Sequence, residues 1–240
     1  MKEIQLSGEG SLTLYEKEGA KAVILICPGG AYAHLSPREA EPVVRAFMAE
    51  GFSAAICYYP IYEGTPLGQR PLKCLCECME KVKEATALPI ITCGFSAGAH
   101  LCATLGVHGK MLGMPVPKAQ ILCYPVITAG EYAHRESILN LTQEDPDFYS
   151  LEKHVHAQVP PTFLWHTEAD MDVPVENSLL FYEALRKAGV KTEMHLYANG
   201  VHGLSLVTKE VEQPEKDRFA DAHVARWFQA CVDWLKETIL

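Results

Sequence analysis

Pro89-Ile90-Ile91-Thr92-Cys93-Gly94-Phe95-Ser96-Ala97-Gly98 is the stretch whose reading decides the fold. Its first half is short, apolar and β-branched behind a proline, which predicts a buried strand over 89–93. Ala97 to Val107, rich in Ala and Leu, predicts a helix. Between the two stands a G-x-S-x-G pentapeptide. A serine on so sharp a strand-to-helix turn has its hydroxyl pushed clear of the sheet, and the flanking glycines let the turn close without a Cβ clash. The pentapeptide alone is a weak signal, because about one chain in ten of this length contains it by chance. Its context and its partners downstream give it weight.

Those partners lie in the C-terminal half. Pro160 to His166 predicts another buried strand, followed by Thr167-Glu168-Ala169-Asp170-Met171-Asp172-Val173-Pro174 and a helix over Val175–Ala188 that stops at Gly189. Lys191 to Tyr197 alternates like a strand and leads into Asn199-Gly200-Val201-His202-Gly203. An acid after one strand and a histidine after the next both fall at strand C-terminal ends, the edge that carries Ser96 in a parallel sheet. The chain order Ser96, Asp170, His202 is the order of the α/β-hydrolase arrangement.

On these residues the chain resembles an α/β-hydrolase serine esterase. It is most similar to small bacterial acetylxylan-esterase-like carbohydrate esterases, near the hormone-sensitive-lipase and prolyl-oligopeptidase-type hydrolases. The resemblance covers nearly the whole chain and rests on Cys27-Pro28-Gly29-Gly30-Ala31-Tyr32, Arg38-Glu39-Ala40-Glu41-Pro42, Gly94 to His100, Leu164-Trp165-His166-Thr167, Val173 to Ser178 and Val201-His202-Gly203. It implies hydrolysis of a short acyl ester, acetyl in the first place, from an acetylated sugar or xylo-oligosaccharide. No cofactor and no metal are implied. The lipase-type H-G-G-G pattern is altered at Pro28 and Ala31, so the second oxyanion N–H falls at Gly30 or Ala31.

Each residue has a chemical role and a competing one. Ser96 is the expected nucleophile, which needs a neighbouring base to take its proton. His202 is the expected base, its ordinary pKa of about 6.5 suiting proton transfer near neutrality. Among the ten histidines, His100 is the rival, but on the helix after Ser96 it would lie along the axis rather than across the serine. His166, on the strand before the acid loop, reads as structural, and His195, within a strand, as packed or solvated. Asp170 is preferred to Asp172 as the group orienting His202, because the resembling family places its acid three residues before the Val-Pro pair, here Val173-Pro174. The Ala97 N–H is expected to complete the oxyanion site with Gly30 or Ala31. Tyr32, Trp165 and Met171 flank the site in sequence and are candidates for the substrate pocket, with ordinary core packing as the alternative.

Composition narrows the classes. With 240 residues, 48% of them hydrophobic, the chain reads as one α/β domain over 1–240 with a mostly parallel, doubly wound sheet. A formal net charge of −9 without a basic cluster argues against nucleic acid as a partner. The longest apolar run, Ala22 to Cys27, is too short for a membrane span. The N-terminus has no export pattern and the nine cysteines read as reduced thiols, so a cytoplasmic location is expected. Cys74, Cys76 and Cys78 invite a metal reading, yet on a helix Cys76 points away from the other two, which favours plain buried thiols.

Further strands are predicted at Leu12–Tyr15, Ala22–Cys27, Ser53–Tyr59 and Ala119–Tyr124. Ser36-Pro37-Arg38-Glu39 reads as a helix opening, with Ser36 as cap and Glu39 reaching back to the cap N–H, the helix running to Glu50. Arg70 to Ala87 predicts another helix. Residues 125–159 show no strand and form a short, lid-like connection over an open site. The C-terminal helix with Trp227, Phe228, Val232, Trp234 and Leu235 is expected to pack on the sheet, any exposed remainder offering a homodimer contact. A peptidase of prolyl-oligopeptidase type and an inactive hydrolase-fold binding protein are the alternatives to an esterase.

Overall fold

One eight-stranded sheet organises the chain, and the computed structural model describes residues 1–240. In chain order the strands are β1 (Lys2–Gln5), β2 (Ser11–Tyr15), β3 (Val23–Cys27), β4 (Ser53–Tyr58), β5 (Ile90–Phe95), β6 (Ala119–Cys123), β7 (Thr162–Thr167) and β8 (Thr192–Tyr197). Their spatial order is β1-β2-β4-β3-β5-β6-β7-β8. The pairs β1–β2 and β2–β4 are antiparallel, and β3 to β8 all run parallel to one another. The helices are α1 (Glu41–Ala49), α2 (Arg70–Ala85), α3 (Ala97–His108), α4 (Arg135–Leu141), α5 (Glu176–Lys187) and α6 (Arg226–Trp234).

The alternation within the central strands explains the two layers. Val23, Leu25 and Cys27 face a core shared with α2, α3 and α5, while Ile24 and Ile26 face a second core shared with α1 and α6. All of these side chains are fully buried, so β3 reads as an unbroken apolar run rather than an alternating one. From β3 the chain goes to β4 on one side and then returns to β5 on the other. That reversal opens a crevice beyond the C-terminal ends of β3 and β5, where such sheets bind ligands.

The structure departs from the sequence expectations over two stretches, residues 2–5 and 36–40. Polar Lys2–Gln5, with no apolar alternation to announce it, forms the edge strand β1. Ser36 makes no capping hydrogen bond, and Pro37–Glu39 is a separate 3₁₀ turn broken from α1 at Ala40. Glu39 turns inward instead, buried to 3% exposure. Its carboxylate accepts the Gly29 N–H at 2.8 Å and the Tyr124 hydroxyl at 2.6 Å. Tertiary partners have displaced the local cap.

Residues 125–159 hold α4 and two 3₁₀ turns, Asp147–Tyr149 and Leu151–Lys153. Asn177 fastens the segment: its Oδ1 accepts the Ile127 and Thr128 N–H groups and its Nδ2 donates to the Tyr132 carbonyl. In α6, Trp227, Val232 and Trp234 are buried against the sheet, with Trp227 stacked on Trp165 at 5.0 Å between ring centroids. The apolar face of this helix is therefore covered within the chain itself. No helix is long and apolar enough to cross a membrane.

Candidate active site

Ser96 sits between β5 and α3 with φ 51° and ψ −115°, a conformation that strains any residue carrying a Cβ. The neighbouring glycines are obligatory for steric reasons. A Cβ on Gly94 would lie 2.4 Å from the Ala99 Cα, and one on Gly98 only 2.1 Å from the Cys27 carbonyl oxygen. The second contact also sets the end of β3 directly against the elbow. Ser96 itself remains buried to 7% exposure, its hydroxyl opening onto a cleft of about 210 Å³.

The His202 Nε2 lies 2.8 Å from the Ser96 Oγ, and its Nδ1 lies 2.6 Å from the Asp170 Oδ2. A carboxylate can only accept, so Nδ1 carries the proton and Nε2 is left free to accept from the serine. Asp170 is surrounded by donors. Its Oδ1 takes the N–H groups of Asp172 (3.0 Å) and Val173 (2.9 Å), and its Oδ2 takes His202 and, at 3.1 Å, the Nε2 of His166. Burial by itself would raise this carboxyl, but the hydrogen bonds from His166 and His202 hold it well below the usual carboxylate range. Asp172, the competing acid, is exposed at the rim and contributes only its backbone N–H.

His166 has a larger part than its strand position suggests. Its Nε2–H is shared between Asp170 and the Val173 carbonyl (3.1 Å), so its Nδ1 accepts from the Ser178 hydroxyl at 2.8 Å. The acid is thereby fixed from the strand side by a fully buried ring. A histidine four residues before an acid is the signal that could have revealed it. His100 is buried along α3, bonded to the Tyr32 hydroxyl (2.9 Å) and the Tyr149 carbonyl (3.1 Å), and is not in reach of the serine. His195 pairs with Glu193 on the far strand.

Gly29 N–H is committed to Glu39 and Ser96 N–H to the Cys123 carbonyl, whereas those of Gly30, Ala31 and Ala97 have no acceptor within the chain. Gly30 has φ 130°, and a Cβ there would meet the His34 carbonyl oxygen at 2.2 Å. Ala31 follows at φ 55° with its own carbonyl held by the Asn140 Nδ2 at 2.9 Å. Ala97 begins α3, whose N-terminal dipole end faces Ser96.

The three pocket candidates fall elsewhere. Tyr32 and Trp165 are core residues at 1% and 0% exposure, and Met171 stands in solvent at 90%. The cleft is lined instead by His34, His134, Glu136 and Asp172, with Lys216 and Arg218 on the His202 side; Ala31 is its one hydrophobic residue. These come from segments far apart in the chain, so no local sequence pattern groups them. Among the cysteines, Cys74 and Cys78 do share a helix face, joined by Cys57 of β4 with all three sulfurs within 4.8 Å of one another.

Residues 115–234 match the model of the prolyl oligopeptidase family. Endo-1,4-beta-xylanase B of Butyrivibrio fibrisolvens is 31% identical over 86% of this chain and 38% of its own length. An acetylxylan esterase of Xylanibacter ruminicola is 27% identical over 85% of this chain and 46% of its own length. The chain thus spans less than half the length of these curated relatives. Among solved structures, the acetyl ester-xyloside bifunctional hydrolase of Caldicellulosiruptor lactoaceticus superposes with a TM-score of 0.81 at 32% identity, covering 95% of this chain and 87% of that one. With the strand order, the elbow and these matches in agreement, the chain belongs to the prolyl oligopeptidase family and carries the α/β-hydrolase fold.

Proposed function

We propose that this chain is a carboxylic ester hydrolase that removes short acyl groups, acetyl above all, from hydroxylated substrates of the acetylated-sugar class. The observation that carries the reading is the hydrogen-bonded line Ser96–His202–Asp170 opening onto a cleft with Ala31 as its one hydrophobic lining residue. A long acyl chain would find no apolar wall there, whereas a sugar could exchange its water for polar side chains. The relatives named acetylxylan esterase and acetyl ester-xyloside hydrolase support the same substrate class.

In this mechanism Ser96 attacks the ester carbonyl while His202 takes its proton. Asp170 holds the ring in the required tautomer and stabilises the imidazolium that forms. The N–H groups of Ala97 and of Gly30 or Ala31 bind the oxyanion, each donor contributing about 3 kcal/mol in the transition state. His202 then protonates the departing alcohol, and water, activated by the same ring, releases the acyl group from Ser96.

The test is hydrolysis of p-nitrophenyl acetate, butyrate and octanoate by the protein and by Ser96→Ala, then acetate release from acetylated xylo-oligosaccharides. Turnover falling from acetate to octanoate and lost in the variant is expected. Equal turnover by Ser96→Ala would refute the assignment of the nucleophile. Cleavage of aminoacyl-naphthylamides in preference to acetyl esters would favour a peptidase, and failure to react with a fluorophosphonate would favour an inactive binding protein.

A further inference from the structure

Glu39 is the one carboxylate that touches both halves of the site. It lines the cleft at 3% exposure, and its partners are neutral donors rather than a cation. On one side Oε2 accepts the N–H of Gly29, the residue before the Gly30–Ala31 turn. Gly29 is closely confined there: a Cβ on it would be 2.8 Å from that oxygen and 3.0 Å from the Ser96 Cβ. On the other side Oε1 accepts the Tyr124 hydroxyl, and the same hydroxyl oxygen accepts the Ser205 N–H at 2.8 Å. Ser205 follows His202 by three residues, and the Tyr124 ring meets the His202 ring edge-on at 5.1 Å.

Both loops held in this way are strained. Ala31 and Tyr32 on the first and Ser205 on the second have positive φ, and so does Tyr124, which reaches the second loop from the end of β6; the four values lie between 37° and 61°. Non-glycine residues stay in that region only where surrounding contacts determine them. Resting on the ester-hydrolase reading above, we infer that Glu39 is a positioning residue. Its two oxygens set the oxyanion turn and the His202 loop in mutual register.

A carboxylate suits this place and an amide does not. Both neighbours donate to it, so a glutamine side chain would either set its NH₂ against the Gly29 N–H and break that link, or aim it at the Tyr124 oxygen, which already accepts the Ser205 N–H and would have to turn its own hydrogen away from its acceptor. The test measures kcat and KM for p-nitrophenyl acetate, per active site titrated with a fluorophosphonate, in Glu39→Gln, Tyr124→Phe and the double variant. Glu39→Gln should lose about 10- to 100-fold in kcat with KM within about twofold, as a slight misplacement of reacting groups does. Tyr124→Phe should lose less, since the Gly29 bond survives, and the double variant should be no worse than Glu39→Gln.

Wild-type kcat per titrated site in Glu39→Gln would overturn the inference even if stability fell, and so would losses that simply add in the double variant. If Glu39→Gln fails to fold, Tyr124→Phe decides alone, wild-type kcat being the contrary result. A wild-type protein that neither hydrolyses the ester nor reacts with the fluorophosphonate removes the function reading and this inference with it. An active wild type beside an equally active Glu39→Gln removes only the inference.

Discussion

The serine elbow and the histidine loop meet across a single hydrogen bond, yet they are held in different ways. At the elbow, backbone presses on backbone: Gly94 against Ala99, Gly98 against Cys27. In the histidine loop, distant side chains grip carbonyl oxygens. Arg218 Nε donates to the His202 carbonyl at 2.8 Å, and Arg38, 165 positions before Gly203, donates to the Gly203 carbonyl at 2.8 Å. Steric fixation tolerates no extra atom, whether the neighbour is near in the chain, as Ala99 is to Gly94, or distant, as Cys27 of β3 is to Gly98. Fixation by guanidinium groups is long-range, and it degrades by degrees.

Four substitutions probe that contrast. The largest effect is expected at Asp170, which holds the ring whose Nε2 joins the two regions. Asp170→Asn would present an NH₂ to one of four donors and favour the wrong His202 tautomer, lowering kcat by about 10⁴-fold while the protein remains folded by circular dichroism. At the elbow, Gly98→Ala should cost about 3 kcal/mol or more by chemical denaturation, since a Cβ at 2.1 Å from the Cys27 oxygen forces β3 and α3 apart. A melting curve matching the wild type would show that the elbow yields more easily than its geometry implies.

His100 tests the floor beneath the elbow through pH. Burial lowers its imidazole to about 4, against about 6.5 in an unfolded chain. The folded value is the lower one, so the stability contributed by the neutral ring is complete above about pH 6.5 and is lost as pH falls through 4. The loss is roughly 3 kcal/mol at most. His100→Gln should flatten the decline in unfolding free energy between those pH values, and an unchanged slope would assign the acid sensitivity elsewhere. The smallest effect is expected in the histidine loop. Arg218→Met keeps much of the stem but drops the bond to the His202 carbonyl, and should reduce kcat by about tenfold with little change in melting temperature. A loss as large as that of Asp170→Asn would mean that the loop depends on this one side chain.

The same contrast separates what the sequence discloses from what it conceals. The parallel strands are legible because β3, β5 and β7 are short, largely apolar runs beside breakers, and the elbow because its serine and both glycines stand within five consecutive residues. Ser96 and His202 can be singled out by chain order and loop position, Asp170 is told from Asp172 only by the family resemblance, and the structure brings the three within hydrogen-bonding distance. Glu39 reads as a helix cap because a local motif and a tertiary site compete for the same carboxylate. Trp165 reads as pocket because closeness to the acid loop in sequence says nothing of which side of the sheet it faces. Lys216, Arg218 and His134 reach the cleft from loops with no periodicity, and β1 is a polar edge strand that only its pairing with β2 defines.

The most direct test of the account is intact-mass spectrometry of the protein quenched during turnover of p-nitrophenyl acetate, with peptide mapping of the labelled site. The account predicts one acetyl group on Ser96, formed and lost at rates compatible with turnover and absent from Ser96→Ala. Undiminished turnover by Ser96→Ala, or an acetyl group borne by another residue such as a cysteine, would contradict it.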